Sequence, residues 1–199
     1  GFQIKDQPPR IFHPEDGKGK SFKEKICDAL EEYKGTLQED KRRLFGRYRY
    51  VDSAIKVVGI GSVGTMCSIA LLLAPDDEPL FLQIKEARPS VFEPFVGKSS
   101  FDNRGQRVVE GQRIMQSASD IFLGWTKFDE GKHFYVRQLR DTKIKLEPEL
   151  WDGKIMLEMA RIMGAVLARA HARSGDSAVI SGYLGDDSVF DEAMTTFAV

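Results

Sequence analysis

Apolar positions along the chain change their spacing twice, and each regime predicts different elements. Ile26, Ala29, Leu30 and Tyr33 recur at three, four and seven residues, which predicts an amphipathic helix ending near Gly35. Ser21 followed by Glu24 supplies a capping-box start for it. A second helical stretch is predicted over Lys41–Tyr50, with Leu44, Phe45 and Tyr48 available to pack. From Ile55 the runs become short and β-prone: Ile55–Val58, Leu80–Lys85, Ile121–Lys127 and His133–Leu139, the last two reading as a hairpin. Asn103–Ser117 between them reads as a helix despite Gly105 and Gly111. Beyond Asp141 the helical period returns in Ile155, Met159, Ile162, Met163, Val166, Leu167 and Ala170. Asp152 is the candidate N-cap and Gly175 the stop, with a last helix over Ser188–Phe197. The Met-rich stripe reads as core. Three regions result: a helical extension with a flexible Pro- and Gly-containing leader over 1–50, a sheet-bearing lobe over 51–142, and helices over 143–199.

Composition narrows the class. A chain of 199 residues, 42% hydrophobic and 30% charged, is sufficient for one core with an extension. Acidic and basic residues nearly cancel, leaving a net charge of −1, which argues against a surface built for nucleic acid or anionic membrane. The basic run Lys41, Arg42, Arg43, Arg47 and Arg49 is adjacent to Glu39 and Asp40 and reads as a solvated helix face. Cys27 and Cys67 match no metal or redox spacing and read as reduced thiols of a cytoplasmic protein. The longest apolar stretch, Ile69–Ala74, is too short to span a bilayer, so a soluble chain without a membrane partner is expected.

The candidate chemistry lies at Gly59-Ile60-Gly61-Ser62-Val63-Gly64, a G-x-G-x-x-G directly after a β-prone run. Closely spaced glycines let bare backbone N–H groups approach phosphate oxygens. Three readings compete: a dinucleotide-binding Rossmann loop, a kinase-type loop between two strands, and a structural turn. A Rossmann loop must open a helix, and the following strand should end on an acid that holds the ribose. Met66–Leu73 is short for that helix, Ala74–Pro79 is a polar turn, and Leu80–Lys85 ends on a lysine. Strand, glycine loop, strand, turn, and a strand ending in Lys85 is the order of a kinase small lobe, where the lysine reaches the α and β phosphates. The fold class is therefore α+β: a kinase-like small lobe of about five antiparallel strands plus one helix, followed by helices of a partial large lobe.

Such a lysine needs an acidic partner. Glu110 is the candidate, with a surface pairing to Arg107 or Arg113 as the plain alternative; Glu93 is second choice. Glu86 neighbours Lys85 on the strand and points to the opposite face. His171-Ala172-Arg173-Ser174-Gly175-Asp176 only superficially resembles a kinase catalytic loop, because the chain's one asparagine is Asn103 and no D-F-G occurs. His171 reads as a helix-end residue, Asp186 and Asp187 as a solvated turn, and His13 and His133 have no obvious partners.

Five ordered segments carry a resemblance: Lys56–Thr65, Leu82–Ala87, Gly105–Arg113, Tyr135–Asp141 and Ala168–Asp176. Together they resemble the bacterial family called domain of unknown function 2252, over nearly all the chain from about Asp40. Members of that family are longer and carry, upstream, Gly-Asp-x-His-x-x-Asn-Phe-Gly and Asn-Asp-Phe-Asp motifs similar to those of aminoglycoside-kinase-like enzymes. The resemblance implies a circularly permuted kinase-like fold, with this chain as a fragment holding the phosphate-cradling lobe. Gly59, Gly61, Ser62 and Gly64 would lie over the phosphates of ATP, Lys85 on its α and β phosphates, and Glu110 on Lys85. Mg²⁺ would be held mainly by the upstream half of the same polypeptide, and the phosphate acceptor is not implied. Two other functions stay open: a pseudokinase-like interaction module without chemistry, and a dinucleotide-binding oxidoreductase domain, expected if residues 66–73 are helical.

Overall fold

A computed structural model describes all residues except 18, 60–63, 129–130, 141–146 and 199. The chain divides into two compact units, residues 1–112 with 118–143, and residues 113–117 with 144–199. In the first, the elements run β1 (Ile11–Phe12), α1 (Phe22–Gly35), α2 (Glu39–Phe45), β2 (Arg49–Lys56), β3 (Cys67–Leu73) and β4 (Pro79–Ala87). They continue with α3 (Glu93–Val96), α4 (Arg104–Met115), β5 (Gly124–Lys127) and β6 (His133–Gln138). The six strands form one antiparallel sheet in the order β1-β2-β3-β4-β6-β5. The α+β class is as the sequence predicts, with one strand more than the five expected.

Every residue of β3 is buried because both faces of the sheet are covered. Ala70 and Leu72 face one way, into a core with Ile26, Leu30 and Tyr33 of α1, Leu82 and Ile84 of β4, and Phe134 and Val136 of β6. Ile69, Leu71 and Leu73 face the other way and pack with Ile4, Ile11, Ala54 and Phe81. The leader is docked on the sheet in this structure. Ile4 is buried, β1 pairs with β2, and the Ile4 amide donates to Asp52 Oδ2 at 2.7 Å. Asp52 sits at a register irregularity of β2, where a bulge re-aims the side chain. Its carboxylate also meets His13 Nε2 at 3.1 Å, while His13 Nδ1 lies 2.7 Å from Asp6. The N-terminal helices belong to the same compact unit as the sheet.

The capping box at Ser21 and Glu24 forms as predicted. The second helix stops early: α2 ends at Phe45 and Arg49 and Tyr50 open β2, pairing with Leu73 and Leu72. Pairing with the most buried strand outweighs the local helical period there. The basic face of α2 is solvated and balanced, with Arg43 on Glu39 at 3.0 Å and Lys41 on Asp40 at 2.6 Å. Helix α4 begins against the sheet, where Gly105 leaves no room for a side chain under the Phe134 carbonyl.

The second unit consists of a 3-10 turn at Pro148–Leu150 and helices α5 (Gly153–Ser174), α6 (Ser177–Leu184) and α7 (Val189–Ala198). Asp152 caps α5 by accepting from the Ile155 amide at 2.8 Å, and Gly175 follows its end. The long apolar stripe of α5 is largely exposed within this structure: Ile162, Met163 and Leu167 are each about half accessible, against the buried core predicted from their spacing. Helix α6, capped by Asp176 accepting from Ala178 and Val179, was not legible as a separate element.

Candidate functional site

Residues 66–73, the segment that separates the two glycine-loop readings, form a strand. The glycine sequence therefore joins two antiparallel strands, β2 and β3, and opens no helix, which removes the basis of the Rossmann reading. Gly61 and Ser62 lie outside the described residues. Gly59 and Gly64 frame them; Gly64 has φ +75°, a left-handed conformation that favours glycine.

The exit of the glycine turn is tied to the end of β4. Met66 and Glu86 exchange backbone and side-chain bonds: Glu86 N donates to Met66 O, and Met66 N to Glu86 Oε2, both at 2.9 Å. Arg88 donates to Glu86 Oε1 at 3.2 Å and to the Gly64 carbonyl. The Arg88 carbonyl in turn accepts from Arg107 Nη2 of α4 at 2.8 Å. Glu86 thus faces away from Lys85 and belongs to the turn, as strand alternation predicts.

Lys85 lies on the opposite face of β4, paired in register with Cys67 of β3 and Tyr135 of β6. Its ammonium stands 5.9 Å from the Tyr135 ring centroid, and Arg137 approaches the same ring from 6.0 Å. Glu110 is half-buried on α4, and Glu93 accepts from the Ser90 amide at 3.0 Å. Among the described residues Lys85 forms no ion pair, with Glu110 or any other carboxylate; its ammonium neighbours the Tyr135 ring.

The row that holds Lys85 is basic across the sheet. Ile55 pairs with Ser68, which puts Lys56 of β2 beside Cys67, and Cys67 is beside Lys85. In the next row, Gln83 accepts from both Arg137 Nε and Nη2, at 3.2 and 3.1 Å, and donates to Cys67 Sγ at 3.5 Å. Burial pushes the Cys67 thiol up, opposed by Lys85, the Gln83 hydrogen bond, Lys56 and Arg137. Three cations on three different strands therefore act on one buried sulfur. Sequence reading missed Lys56 and Arg137, because only the register brings them to Lys85.

Both histidines read as unpartnered have partners. His13 bridges Asp6 and Asp52; burial disfavours its charge, but the bonds to Asp52 and Asp6 outweigh that and raise its pKa. His133 accepts from the Arg104 amide through Nδ1 at 3.1 Å, and burial lowers its pKa. Arg173, from the segment resembling a catalytic loop, donates to the carbonyls of Ile114 and Gln116 at 3.0 and 2.9 Å. It satisfies orphaned carbonyls at and just beyond the end of α4. His171 lines an apolar concavity of about 630 Å³ with Leu167, Ile180, Tyr183 and Phe190 in the second unit. Among the described residues no group of three His, Cys, Asp or Glu is placed to hold a metal ion, and no helix is long and apolar enough to cross a membrane.

Fold and site together define an α+β protein whose antiparallel sheet carries a glycine-rich turn and, beside it, a row of basic side chains. The chain belongs to the family described as an uncharacterized protein conserved in bacteria (DUF2252), which matches residues 1–199. No curated protein and no solved structure matches it.

Proposed function

We propose that this chain is the nucleotide-binding lobe of a kinase-like, ATP-dependent phosphotransferase. The observation that carries the reading is Lys85. It stands on the strand after the glycine-containing connection, on the sheet face opposite the one α1 covers, with no carboxylate paired to it among the described residues. A point charge in that place suits the α and β phosphates of a nucleotide, with Gly59, Gly61, Ser62 and Gly64 over the phosphate chain. Glu110 is the acidic partner in this reading, meeting Lys85 in the nucleotide-bound state. The Arg107–Arg88 hydrogen bond joins its helix to the end of the lysine strand. Phosphoryl transfer also needs Mg²⁺ and a positioned acceptor. In this reading an upstream half of the polypeptide supplies the metal site.

Calorimetric titration with Mg-ATP, and separately with NADH, tests the reading. Saturable ATP binding that weakens about ten-fold in Lys85→Ala, about 1.4 kcal/mol, is the expected result. ATP binding of unchanged strength in Lys85→Ala favours an interaction module that keeps the shape without the chemistry. NADH binding without ATP binding rejects the proposal.

A further inference from the structure

Three cations gathered on one sheet face are not explained by a single lysine on a nucleotide. Lys56, Lys85 and Arg137 come from β2, β4 and β6, all act on Cys67, and none is paired with a carboxylate among the described residues. Like charges collected without a counter-charge repel, so the arrangement costs stability in the free protein. On the same face Ile4 and Ile11 of the leader pack with Ile69, Leu71 and Leu73, and Ile11 pairs in register with Lys56 at the sheet edge. The basic row is outside that cluster, and Lys56, Lys85, Tyr135 and Arg137 are all partly accessible.

Resting on the phosphate role proposed for Lys85, we infer that Lys56 and Arg137 are further ligands of the same anion, and that the anion is a chain of linked phosphates. Lys56 and Lys85 stand two strands apart, about 10 Å between backbones. A lone phosphate is held by one of them at a time, whereas a di- or triphosphate reaches both. Arg137 lies one row along, its guanidinium oriented by two hydrogen bonds to Gln83, so it presents a fixed fork to the phosphate nearest β6. The leader packed on this face limits the site to a small ligand, in keeping with the near-neutral chain.

The test titrates the full chain with sodium tripolyphosphate, orthophosphate and Mg-ATP, by calorimetry and by thermal shift. The chain should bind tripolyphosphate at least about ten-fold more tightly than orthophosphate, and Lys56→Gln and Arg137→Gln should each weaken it about ten-fold. Lys56→Arg should recover most of the loss, whereas Arg137→Lys should recover only part of it, because an ammonium lacks the fork. Without ligand, Lys56→Gln should unfold no lower than the parent, because it relieves repulsion; a folding defect would lower it. The inference is overturned if tripolyphosphate does not bind, if it binds no better than orthophosphate, or if both Gln variants keep the parent affinity. Mg-ATP binding that needs Lys85 but not Lys56 or Arg137 overturns this inference alone and leaves the nucleotide lobe standing. Tripolyphosphate binding that needs all three cations, without any preference for ATP, sustains this inference and removes the nucleotide reading.

Discussion

Helix α4 contains two glycines whose replacement by alanine should act with opposite sign. At Gly105 an added Cβ would lie 2.1 Å from the Phe134 carbonyl oxygen and 2.5 Å from its carbon, both backbone atoms of β6. Real Cβ contacts essentially never fall below 3.0 Å, so the helix start or the strand must shift by about 1 Å. That shift strains three bonds that seat the helix. Asn103 Oδ1 accepts from Gly105 N at 2.7 Å, Asn103 Nδ2 donates to Thr126 O at 3.3 Å, and Arg104 N donates to His133 at 3.1 Å. Overpacking costs about 1–3 kcal/mol, and weakening these bonds adds about 1 kcal/mol, giving about 3 kcal/mol for Gly105→Ala. At Gly111 nothing lies within 4 Å of an added Cβ, so Gly111→Ala should stabilise by about 0.5–1 kcal/mol through helix propensity. Urea unfolding followed by Trp125 fluorescence in a Trp151→Phe background reports on the unit that contains β5. With a slope of about 2 kcal/mol per molar, the midpoints should move down by about 1.5 M and up by about 0.4 M. A Gly105→Ala midpoint within 0.2 M of the parent, roughly 0.4 kcal/mol on that slope, would refute the close approach of α4 to β6.

Three further outcomes follow from other contacts. His13 has a raised pKa between Asp6 and Asp52, so its contribution to stability is complete below about pH 6.5 and is lost as pH rises through the folded value. Unfolding midpoints should therefore fall as pH rises above about 6.5, and His13→Gln should flatten that slope; an equal slope in the variant rejects the bridge. Tyr33→Phe removes a buried hydroxyl that donates to the Phe122 carbonyl at 2.6 Å, and the stranded acceptor should cost about 1–3 kcal/mol in denaturant unfolding. Arg173→Ala should lower the thermal midpoint of the second unit by a few degrees, about 1 kcal/mol, with Arg173→Lys restoring part; no change rejects its role as a helix-end cap.

Local signals carried the parts of the fold that depend on neighbours in sequence. The period of Ile26, Leu30 and Tyr33, the Ser21 capping box and the Asp152 cap each specify their helices without help from elsewhere. The β4 alternation was equally legible, since Leu80, Leu82 and Ile84 take the face that α1 covers while Gln83 and Lys85 take the other. Elements held by distant partners were not. The two-residue strand β1 exists only because Lys56 and Ile55 pair with it, and the leader docks through Ile4 and a carboxylate 48 positions away. Its prolines and glycines describe how the chain turns, and they say nothing about what it rests on.

The same division runs through the candidate site. Lys85 could be singled out because the order of glycines, turn and strand is a local property. Lys56 and Arg137 could not, because nothing in their own neighbourhoods distinguishes them from solvated charges. What distinguishes them is the register, Ile55 on Ser68, Cys67 on Lys85 and Gln83 on Arg137, which assembles one basic surface from three strands. A one-residue slip in either pairing would send Lys56 or Arg137 to the helix-covered face, where a charge has no partner and Ala70, Leu72 and Ile84 already fill the core. The packing that fixes the register for stability therefore also fixes the spacing of the cations. On the proposed anion site, a core substitution such as Ile84→Ala should then weaken tripolyphosphate binding in calorimetry while Lys56, Lys85 and Arg137 all remain in place.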